Sequence, residues 1–412
     1  MRWVRDKTVV PVLMFHSIGI YNENWVWKSM SESREVFETL LARISGCGFR
    51  TVGLSELYEH MAGTRTLPGN SIVLTFDDGY LDNSVIVAPL LKKFGMKGVV
   101  YVSPEFVQDG DVVRPTLEDV WAGRLNESDL DLIGFMNWAE LRALDDAQIL
   151  DVQCHGLTHT WYFSNSAVID IHRPRDVYPY PWLSWNACPE RKPYYLNEPQ
   201  QCFVDWGYPV FTHEKALITK QFFPDPDRVE EITRYVRSEG GDRFFDNSRW
   251  REKLVSKFDV LDGKSAFPGH FESEADYRDR VLGELVESRK QIEARLEKEV
   301  RFLSWPGGGV NPQAAKLAER AGYRSQTLSS WQQPSVRNRP GSNPAGIKRV
   351  AGRSKVHWRG RWIANGGSWW IMQRALQHQG STVSMLRTAT WKLMRILGLG
   401  RNIQSSERTG LT

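Results

Sequence analysis

The sequence is poor in cysteine and lacks any long apolar run. Four cysteines stand among 412 residues, at positions 47, 154, 188 and 202, and their irregular spacing excludes a disulfide framework or a zinc-ribbon motif. Because no stretch of 18 or more apolar residues occurs, the sequence predicts no membrane-spanning helix. No long apolar region follows the charged first residues, which predicts the absence of a signal peptide. We therefore expect reduced thiols and a cytoplasmic location, with peripheral membrane association as a variant.

Acidic residues are missing from a long C-terminal stretch. Between Glu319 and Glu407 the chain carries 15 Lys or Arg and no carboxylate, although its overall net charge is only +4. Such a bias predicts contact with an anionic partner. The segment at residues 388–399 is short, apolar and basic, which is typical of helices that lie in a membrane interface. The alternative is a terminal helix that docks on the rest of the protein and exposes its basic face to solvent. Nucleic-acid binding is disfavoured because no recognised module accompanies the basic residues.

Short apolar segments alternate with helical ones along most of the chain. This alternation predicts an α/β architecture with a parallel sheet or barrel. Strands are predicted at residues 9–15, 71–76, 98–103, 150–154, 301–305 and 346–350, and helices at residues 34–47, 81–94, 138–146 and 276–300.

Residues 161–265 interrupt this alternation. Their first half, residues 161–211, holds 13 aromatic residues and 7 prolines and shows no clear helical or strand period. Long irregular segments are usually functional or disordered, and so many aromatics argue against disorder. We therefore expect an insertion or lid here.

Two adjacent carboxylates end one of the predicted strands. Asp77 and Asp78 follow the apolar run at residues 71–76 and precede Gly79. Two like charges side by side repel, so one of such a pair usually binds a proton or a cation. The alternative is an ordinary turn, because Asp and Gly are common turn residues.

Histidines follow two further predicted strands. His155 and His159 stand four apart after the strand at residues 150–154, and at this spacing both imidazoles can face one centre. Together with one carboxylate they would form a catalytic metal site with three protein ligands and an open position. His16 follows the first strand, and alone it is more typical of a structural histidine.

A glycine-rich loop, Trp305-Pro306-Gly307, also follows a predicted strand. Its glycines would let a substrate approach the backbone, where an N–H group can stabilise an oxyanion; the alternative is a plain flexible loop. The candidate groups thus follow four different strands. Barrel enzymes place their active sites at the C-terminal ends of their strands, so we expect these groups to converge.

Three motifs together resemble those of the polysaccharide deacetylase family, also called NodB-homology or carbohydrate esterase family four. They are TFDDGY at residues 75–80, HGLTH at residues 155–159 and MFHSIG at residues 14–19. The last is similar to the N-terminal motif of the circularly permuted poly-N-acetylglucosamine deacetylase branch. The resemblance covers residues 9–160 and resumes at about 267–323.

The resemblance implies a distorted (β/α)7-type barrel with a long aromatic-rich insertion, and a divalent metal. The metal is commonly zinc, with nickel, cobalt or manganese as alternatives. We expect four parts in the chain: a first barrel part at residues 1–160, the insertion or lid at 161–265, a second barrel part at 266–350 and a basic, Trp-rich extension at 351–412.

The resemblance also implies roles for the candidate residues. Asp78, His155 and His159 would bind the metal. Asp77 would be the general base that activates a water for attack on an amide, and His16 the acid that protonates the leaving amine. The expected substrate contacts are Trp305, Pro306, Gly307, Trp182 and Trp185. The two insertion tryptophans would stack on sugar rings, or else form the insertion's own core.

The chain departs from the family pattern at two places. The third motif usually has an arginine two residues before its proline, where Ser304 stands, and Arg301 lies three residues too early to replace it. Ser329-Ser330-Trp331 occupies the region where an acidic D-x-x-D-W motif is usual. The groups that would orient Asp77 and a catalytic histidine are therefore not located by the sequence.

The sequence predicts a metal-dependent hydrolase that removes N-acetyl groups from an N-acetylated sugar. The substrate would be a polysaccharide, or a lipid- or nucleotide-linked precursor of an envelope glycan. One alternative is hydrolysis of another amide or an acetyl ester on the same fold. Another is a catalytically decayed glycan-binding protein.

Overall fold

The computed structural model describes residues 5–20, 22–263, 265–328, 335–359 and 361–397. Its strands are β1 (Val12–Phe15), β2 (Ser17–Ile18), β3 (Ser31–Glu32), β4 (Arg50–Thr51), β5 (Ser71–Phe76), β6 (Gly98–Val102), β7 (Leu150–Cys154), β8 (Trp161–Ile171), β9 (Pro209–Lys215), β10 (Phe222–Pro224), β11 (Gly269–Phe271), β12 (Phe302–Leu303), β13 (Ser325–Leu328), β14 (Gly346–Lys348), β15 (Val350–Ala351), β16 (Lys355–Trp358) and β17 (Arg361–Asn365). Its α-helices are α1 (Arg34–Gly46), α2 (Leu54–Ala62), α3 (Ala88–Lys93), α4 (Leu117–Trp121), α5 (Trp138–Asp146), α6 (Pro181–Ala187), α7 (Pro226–Ser238), α8 (Trp250–Lys257), α9 (Glu274–Leu296), α10 (Pro312–Arg320), α11 (Gly367–His378) and α12 (Thr382–Ile396).

A parallel sheet forms the centre of the molecule, in the order β14-β13-β12-β7-β6-β5-β1-β15. The two ends of this order are consecutive pieces of one chain segment. Its first piece, β14, pairs with β13, and its second piece, β15, pairs with β1. One segment therefore joins both edges, so seven strand positions close into a barrel. This confirms the predicted α/β barrel.

The strands of the barrel are apolar because both of their faces are covered. All six residues of β5 and all five of β6 are buried, as expected for parallel strands that lie under helices. The best predicted helix is also found, as α9, with Val281, Leu285 and Ile292 buried along one face. Hydrophobic periodicity was thus a sufficient signal for these elements.

The insertion has more regular structure than the sequence indicated. Residues 161–211 contain the long strand β8, which pairs antiparallel with β9, although the sequence shows no clear strand period there. The register of this pair shifts between Phe163 and Val168 and again between Val168 and Asp170. Such bulges place residues on unexpected faces, and this removes the period-two pattern that reveals a strand.

The C-terminal residues 355–397, called here the C-terminal unit, consist of the β16–β17 hairpin followed by α11 and α12. A small apolar cluster holds them together, formed by Val356, Ala364, Trp370 and Trp391. Arg43 of α1 donates from Nε to Ser368 Oγ of α11 at 2.8 Å, which joins the unit to the barrel. Among the described residues, none of the helices has the length and apolar content needed to cross a bilayer.

Candidate metal centre

Asp77, Asp78 and His155 directly follow barrel strands, and backbone pairing fixes their positions. The N–H of Asp77 donates to the Phe15 carbonyl at 2.9 Å, and the N–H of His155 donates to the Val102 carbonyl at 2.8 Å. Both bonds continue the parallel pairing beyond the ends of β5 and β7. The carboxylates and the imidazole therefore meet at the C-terminal end of the barrel, where barrel enzymes place their chemistry.

The backbone at the two motifs adopts conformations that most residues avoid. Asp78 has φ 76° and His159 has φ 42°, a left-handed region that costs free energy for residues with a Cβ. Gly79 also has φ 76°, and a Cβ there would lie 2.9 Å from Val102 Cγ1. The Asp-Asp-Gly order therefore has a steric cause, since only glycine fits beside β6.

Three side chains present ligand atoms to one point. Nε2 of His155 and Nε2 of His159 each lie 3.2 Å from Asp78 Oδ1, and the three atoms lie within 4.8 Å of one another. Asp78 Oδ1 is nevertheless buried and has no hydrogen-bond partner among the described residues. The contacts are close but lack hydrogen-bond geometry, so we interpret them as a shared coordination site.

The surroundings of His155 explain why a cation fits this point. Its Nδ1 lies 2.8 Å from the Ser304 carbonyl oxygen, which can only accept, so Nδ1 carries the proton. In the neutral ring, Nε2 is then a bare acceptor that faces a second acceptor, Asp78 Oδ1. Metal-binding histidines commonly donate their other N–H to a backbone carbonyl in this way. The donor set of two imidazoles and one carboxylate suits zinc and related divalent metals.

Asp78 is held in its ionised form. Burial by itself would raise the pKa of this carboxyl, but the imidazoles of His159 and His155 outweigh it, and the pKa lies well below its usual range. An ionised carboxylate is the state that a divalent cation binds.

Asp77 is paired with an arginine that the sequence analysis did not identify. Arg349 donates from Nη1 to Asp77 Oδ1 at 2.6 Å and from Nη2 to Asp77 Oδ2 at 2.8 Å. The two side chains are only 7% and 3% exposed. Burial raises the pKa of Asp77, but the Arg349 guanidinium together with the imidazoles of His155 and His16 lowers it by more, so the net direction is downward. The bidentate geometry fixes the orientation of the carboxylate as well as its charge.

Ser304 stands at the position where the family pattern has an arginine, and it contacts the same pair. Arg349 Nη2 donates to Ser304 Oγ at 2.9 Å, and Ser304 Oγ lies 3.4 Å from Asp77 Oδ2. The arginine thus reaches Asp77 from the segment that closes the barrel, between β14 and β15, and not from the segment after β12 that contains Ser304. The sequence offered one signal for this contact. Arg349 lies within the predicted strand at residues 346–350, and a cation buried in a strand needs a buried anion as its partner.

His16 follows β1 and lines the same cavity as Asp78, His155 and His159. Burial lowers the pKa of its imidazole, and the carboxylates of Asp78 and Asp77 raise it by less. The backbone is anchored, because Asn83 Nδ2 donates to the His16 carbonyl at 3.0 Å. The tripeptide at residues 329–331, considered as a source of an orienting carboxylate, lies outside the described residues.

A cavity opens beside the candidate metal ligands and is lined by Asp78, His155, His159 and His16. Of the five residues predicted to contact substrate, Trp185 and Gly307 line it. Trp305 is 1% exposed and donates from Nε1 to Gln326 Oε1 at 2.8 Å. Trp182 is buried against Phe163. Trp182, Trp305 and Pro306 are not among the residues that line the cavity, so packing explains these three positions.

Aromatic rings form most of the cavity wall. Trp27, from the loop between β2 and β3, stacks on Trp161 with ring centroids 5.9 Å apart and an interplanar angle of 15°. Behind them Trp185 packs on Phe106 and Tyr195, with centroids 5.0 and 4.9 Å apart. Trp27 and Trp161 belong to no motif, and only the chain's folding brings them together at the site.

Comparison with known proteins agrees with this site. A family model described as polysaccharide deacetylase matches residues 64–203. YxkH of Bacillus subtilis (strain 168), named as a polysaccharide deacetylase, is 28% identical over 102 residues, which is 24% of this chain. The match spans about a third of that relative's length (34%).

Solved structures of similar proteins have been found as well. A de-N-acetylase from Aggregatibacter actinomycetemcomitans has a TM-score of 0.49 at 14% identity, over 85% of this chain and 97% of that one. The BpsB deacetylase domain from Bordetella bronchiseptica has a TM-score of 0.49 at 19% identity, over 84% and 97%.

A closed parallel barrel with ionisable side chains at the C-terminal ends of its strands has the architecture of a barrel enzyme. The family match covers both β5 with its Asp-Asp-Gly end and β7 with its two histidines. Over residues 64–203 the chain is similar to the polysaccharide deacetylase family.

Proposed function

We propose that this protein is a metal-dependent hydrolase that removes N-acetyl groups from an N-acetylated sugar. The observation that carries the proposal is that two adjacent carboxylates, those of Asp77 and Asp78, have different surroundings. The carboxylate of Asp78 converges with the imidazoles of His155 and His159, and the carboxylate of Asp77 forms an ion pair with Arg349. One carboxylate is thus suited to hold a cation and its neighbour to accept a proton.

The metal would be held by Asp78, His155 and His159, and zinc suits this donor set. When bound, a divalent cation polarises the amide carbonyl and lowers the pKa of a water molecule. Asp77, kept ionised by Arg349, accepts a proton from the attacking water. His16 donates a proton to the nitrogen of the leaving amine, which departs only when protonated. The aromatic wall shields these transfers from bulk water and packs on the apolar face of the sugar.

The wall also supports a choice of substrate. Trp27 from the barrel loop and Trp161 from the insertion stack on each other and line the same cavity as the candidate metal ligands, so a metal held by those ligands would share the pocket with aromatic side chains. A pocket of this form suits the terminal sugar of a chain or of a lipid- or nucleotide-linked conjugate. A long polymer would need an open groove to place an internal residue over the metal.

Acetate release tests the proposed reaction. We expect the metal-loaded protein to release acetate from N-acetylglucosamine oligomers and conjugates faster than from acetyl esters of the same sugars. Enzymatic measurement of acetate over a panel of matched amides and esters would decide between them. Release from esters alone would contradict the proposal and favour an esterase, and release from neither would favour a glycan-binding protein.

Trp161→Ala is expected to broaden the position of deacetylation. Because this change opens one side of the pocket, internal residues of an N-acetylglucosamine pentamer should lose acetyl groups that the wild type leaves in place. Mass spectrometric sequencing of the product would show the positions. Trp206→Ala is the matched control, since Trp206 is a half-buried insertion tryptophan that stacks on His172 outside the cavity. Internal deacetylation by the wild type would contradict the terminal-sugar proposal.

A further inference from the structure

The outer face of α12 is apolar and exposed, although the helix is docked on the protein. Ser384, Thr388 and Trp391 form its buried face. Leu386, Leu393 and Leu397 are 57%, 57% and 59% exposed. At 100° per residue these three leucines lie within about 40° of one another, on the side opposite the buried face. Met385, Met394 and Ile396 extend the exposed apolar area.

An apolar stripe of this kind rarely stays uncovered on a protein surface. Its surroundings indicate what covers it. α12 carries Arg387, Lys392 and Arg395 and no acidic residue. Lys392 Nζ lies 5.2 Å above the Trp370 ring, and the Arg395 guanidinium lies 5.3 Å above the Trp391 ring. At 100° per residue, Arg387 lies about 100° from Leu386 on one side, Lys392 about 120° on the other, and Arg395 about 180° away. Arg387 and Lys392 therefore border the exposed apolar face, whereas Arg395 lies on the docked face.

The β16–β17 hairpin adds the same chemistry to the C-terminal unit. Trp358 and Trp362 are exposed, and they stand next to Arg359 and Arg361 in the sequence. Exposed tryptophan beside arginine is typical of the zone where a protein meets lipid headgroups. No carboxylate stands between Glu319 and Glu407, so no acidic residue of this region opposes an anionic surface.

We propose that the C-terminal unit binds an anionic membrane surface, with α12 lying in the interface plane and its leucine stripe inserted among the lipids. A helix with leucines on one side and cations at the borders binds by apolar burial plus attraction to anionic headgroups. A protein partner of this surface would need an acidic, apolar face, and a second copy of the unit would bring like charges together. The inference rests on α12 and the hairpin and is independent of the proposed activity.

Vesicle sedimentation with the full chain tests the proposal. We expect binding to vesicles of phosphatidylcholine mixed with phosphatidylglycerol, weaker binding at high salt, and little binding to phosphatidylcholine alone. Leu386→Ser and Leu393→Ser should each lower the partition coefficient about tenfold. Arg387→Gln and Lys392→Gln should lower it about fivefold each. Leu386, Arg387 and Leu393 are exposed and lie away from the docked face. Lys392 lies at its edge, over the Trp370 ring, and an unchanged thermal midpoint would verify folding of each variant.

Val112→Ser is the control, because Val112 is an exposed apolar residue far from the unit in sequence, and its binding should equal that of the wild type. Equal binding to both vesicle types, or undiminished binding by the leucine variants, would overturn the proposal. So would a wild-type chain that ignores vesicles and self-associates through the leucines, becoming monomeric in Leu393→Ser. Sedimentation velocity distinguishes that outcome.

Discussion

Replacing Arg349 with methionine is expected to lower the free energy of unfolding by about 3–5 kcal/mol. Methionine fills a similar volume but leaves the Asp77 carboxylate buried and without its cation. Arg349 lies in the segment that joins both edges of the barrel. Its replacement should therefore destabilise the closure of the sheet as well as the site. Urea denaturation followed by tryptophan fluorescence measures the change.

Two further variants show whether this cost comes from the ion pair. Arg301→Met removes the arginine nearest to the family's motif position; that side chain is half-exposed and pairs with the exposed Glu299, so we expect a change within about 0.5 kcal/mol. Adding Asp77→Asn to Arg349→Met should recover at least about 1 kcal/mol, because the orphaned charge is removed. Strict additivity of the two substitutions would show that Arg349 stabilises the fold without acting through Asp77.

Asp77→Asn and Asp78→Asn are expected to separate the two halves of the site. Asp78→Asn removes the charged ligand shared by the two imidazoles, and we expect it to lose stoichiometric metal together with activity. Asp77→Asn leaves the three ligand side chains in place, and we expect it to keep the metal and to lose about 10²–10⁴-fold in rate, the usual contribution of a general base. Metal analysis of each purified variant, followed by acetate release, gives both readouts.

The two variants are matched controls for each other, since both exchange one carboxylate oxygen for an amide at neighbouring positions. Loss of metal from Asp77→Asn alone would reverse the roles assigned to the pair. Wild-type rates in metal-loaded Asp77→Asn would remove this residue from the mechanism. The second result would leave the Arg349 contact with a purely structural role.

The part of the site that the sequence predicted follows from local pattern. β5 and β7 are short apolar runs with sharp ends, and the candidate metal ligands lie within five residues of those ends. Their position at one end of the barrel follows from the parallel arrangement alone. The spacing of His155 and His159 was also readable, although the positive φ of His159 shows that a tight loop, and not a helix, brings the rings together.

The remainder depends on contacts between distant parts of the chain. Arg349 is 272 residues from Asp77 and 45 from Ser304, and its role exists only because the last barrel segment bridges both edges of the sheet. Trp27 and Trp161 stack on each other in the cavity wall although they are far apart in the sequence. Trp182 and Trp305 are not among the residues that line the cavity, because a large ring with a buried partner packs into the core as readily as it faces a pocket.

The most direct test of the central claim is acetate release by chelator-treated protein before and after one equivalent of zinc, with an N-acetylglucosamine oligomer as substrate. The account predicts no release by the apoprotein, recovery on addition of zinc, and no recovery in Asp78→Asn treated in the same way. Equal release with and without metal, or full recovery in Asp78→Asn, would contradict the assignment of Asp78, His155 and His159 as the metal site.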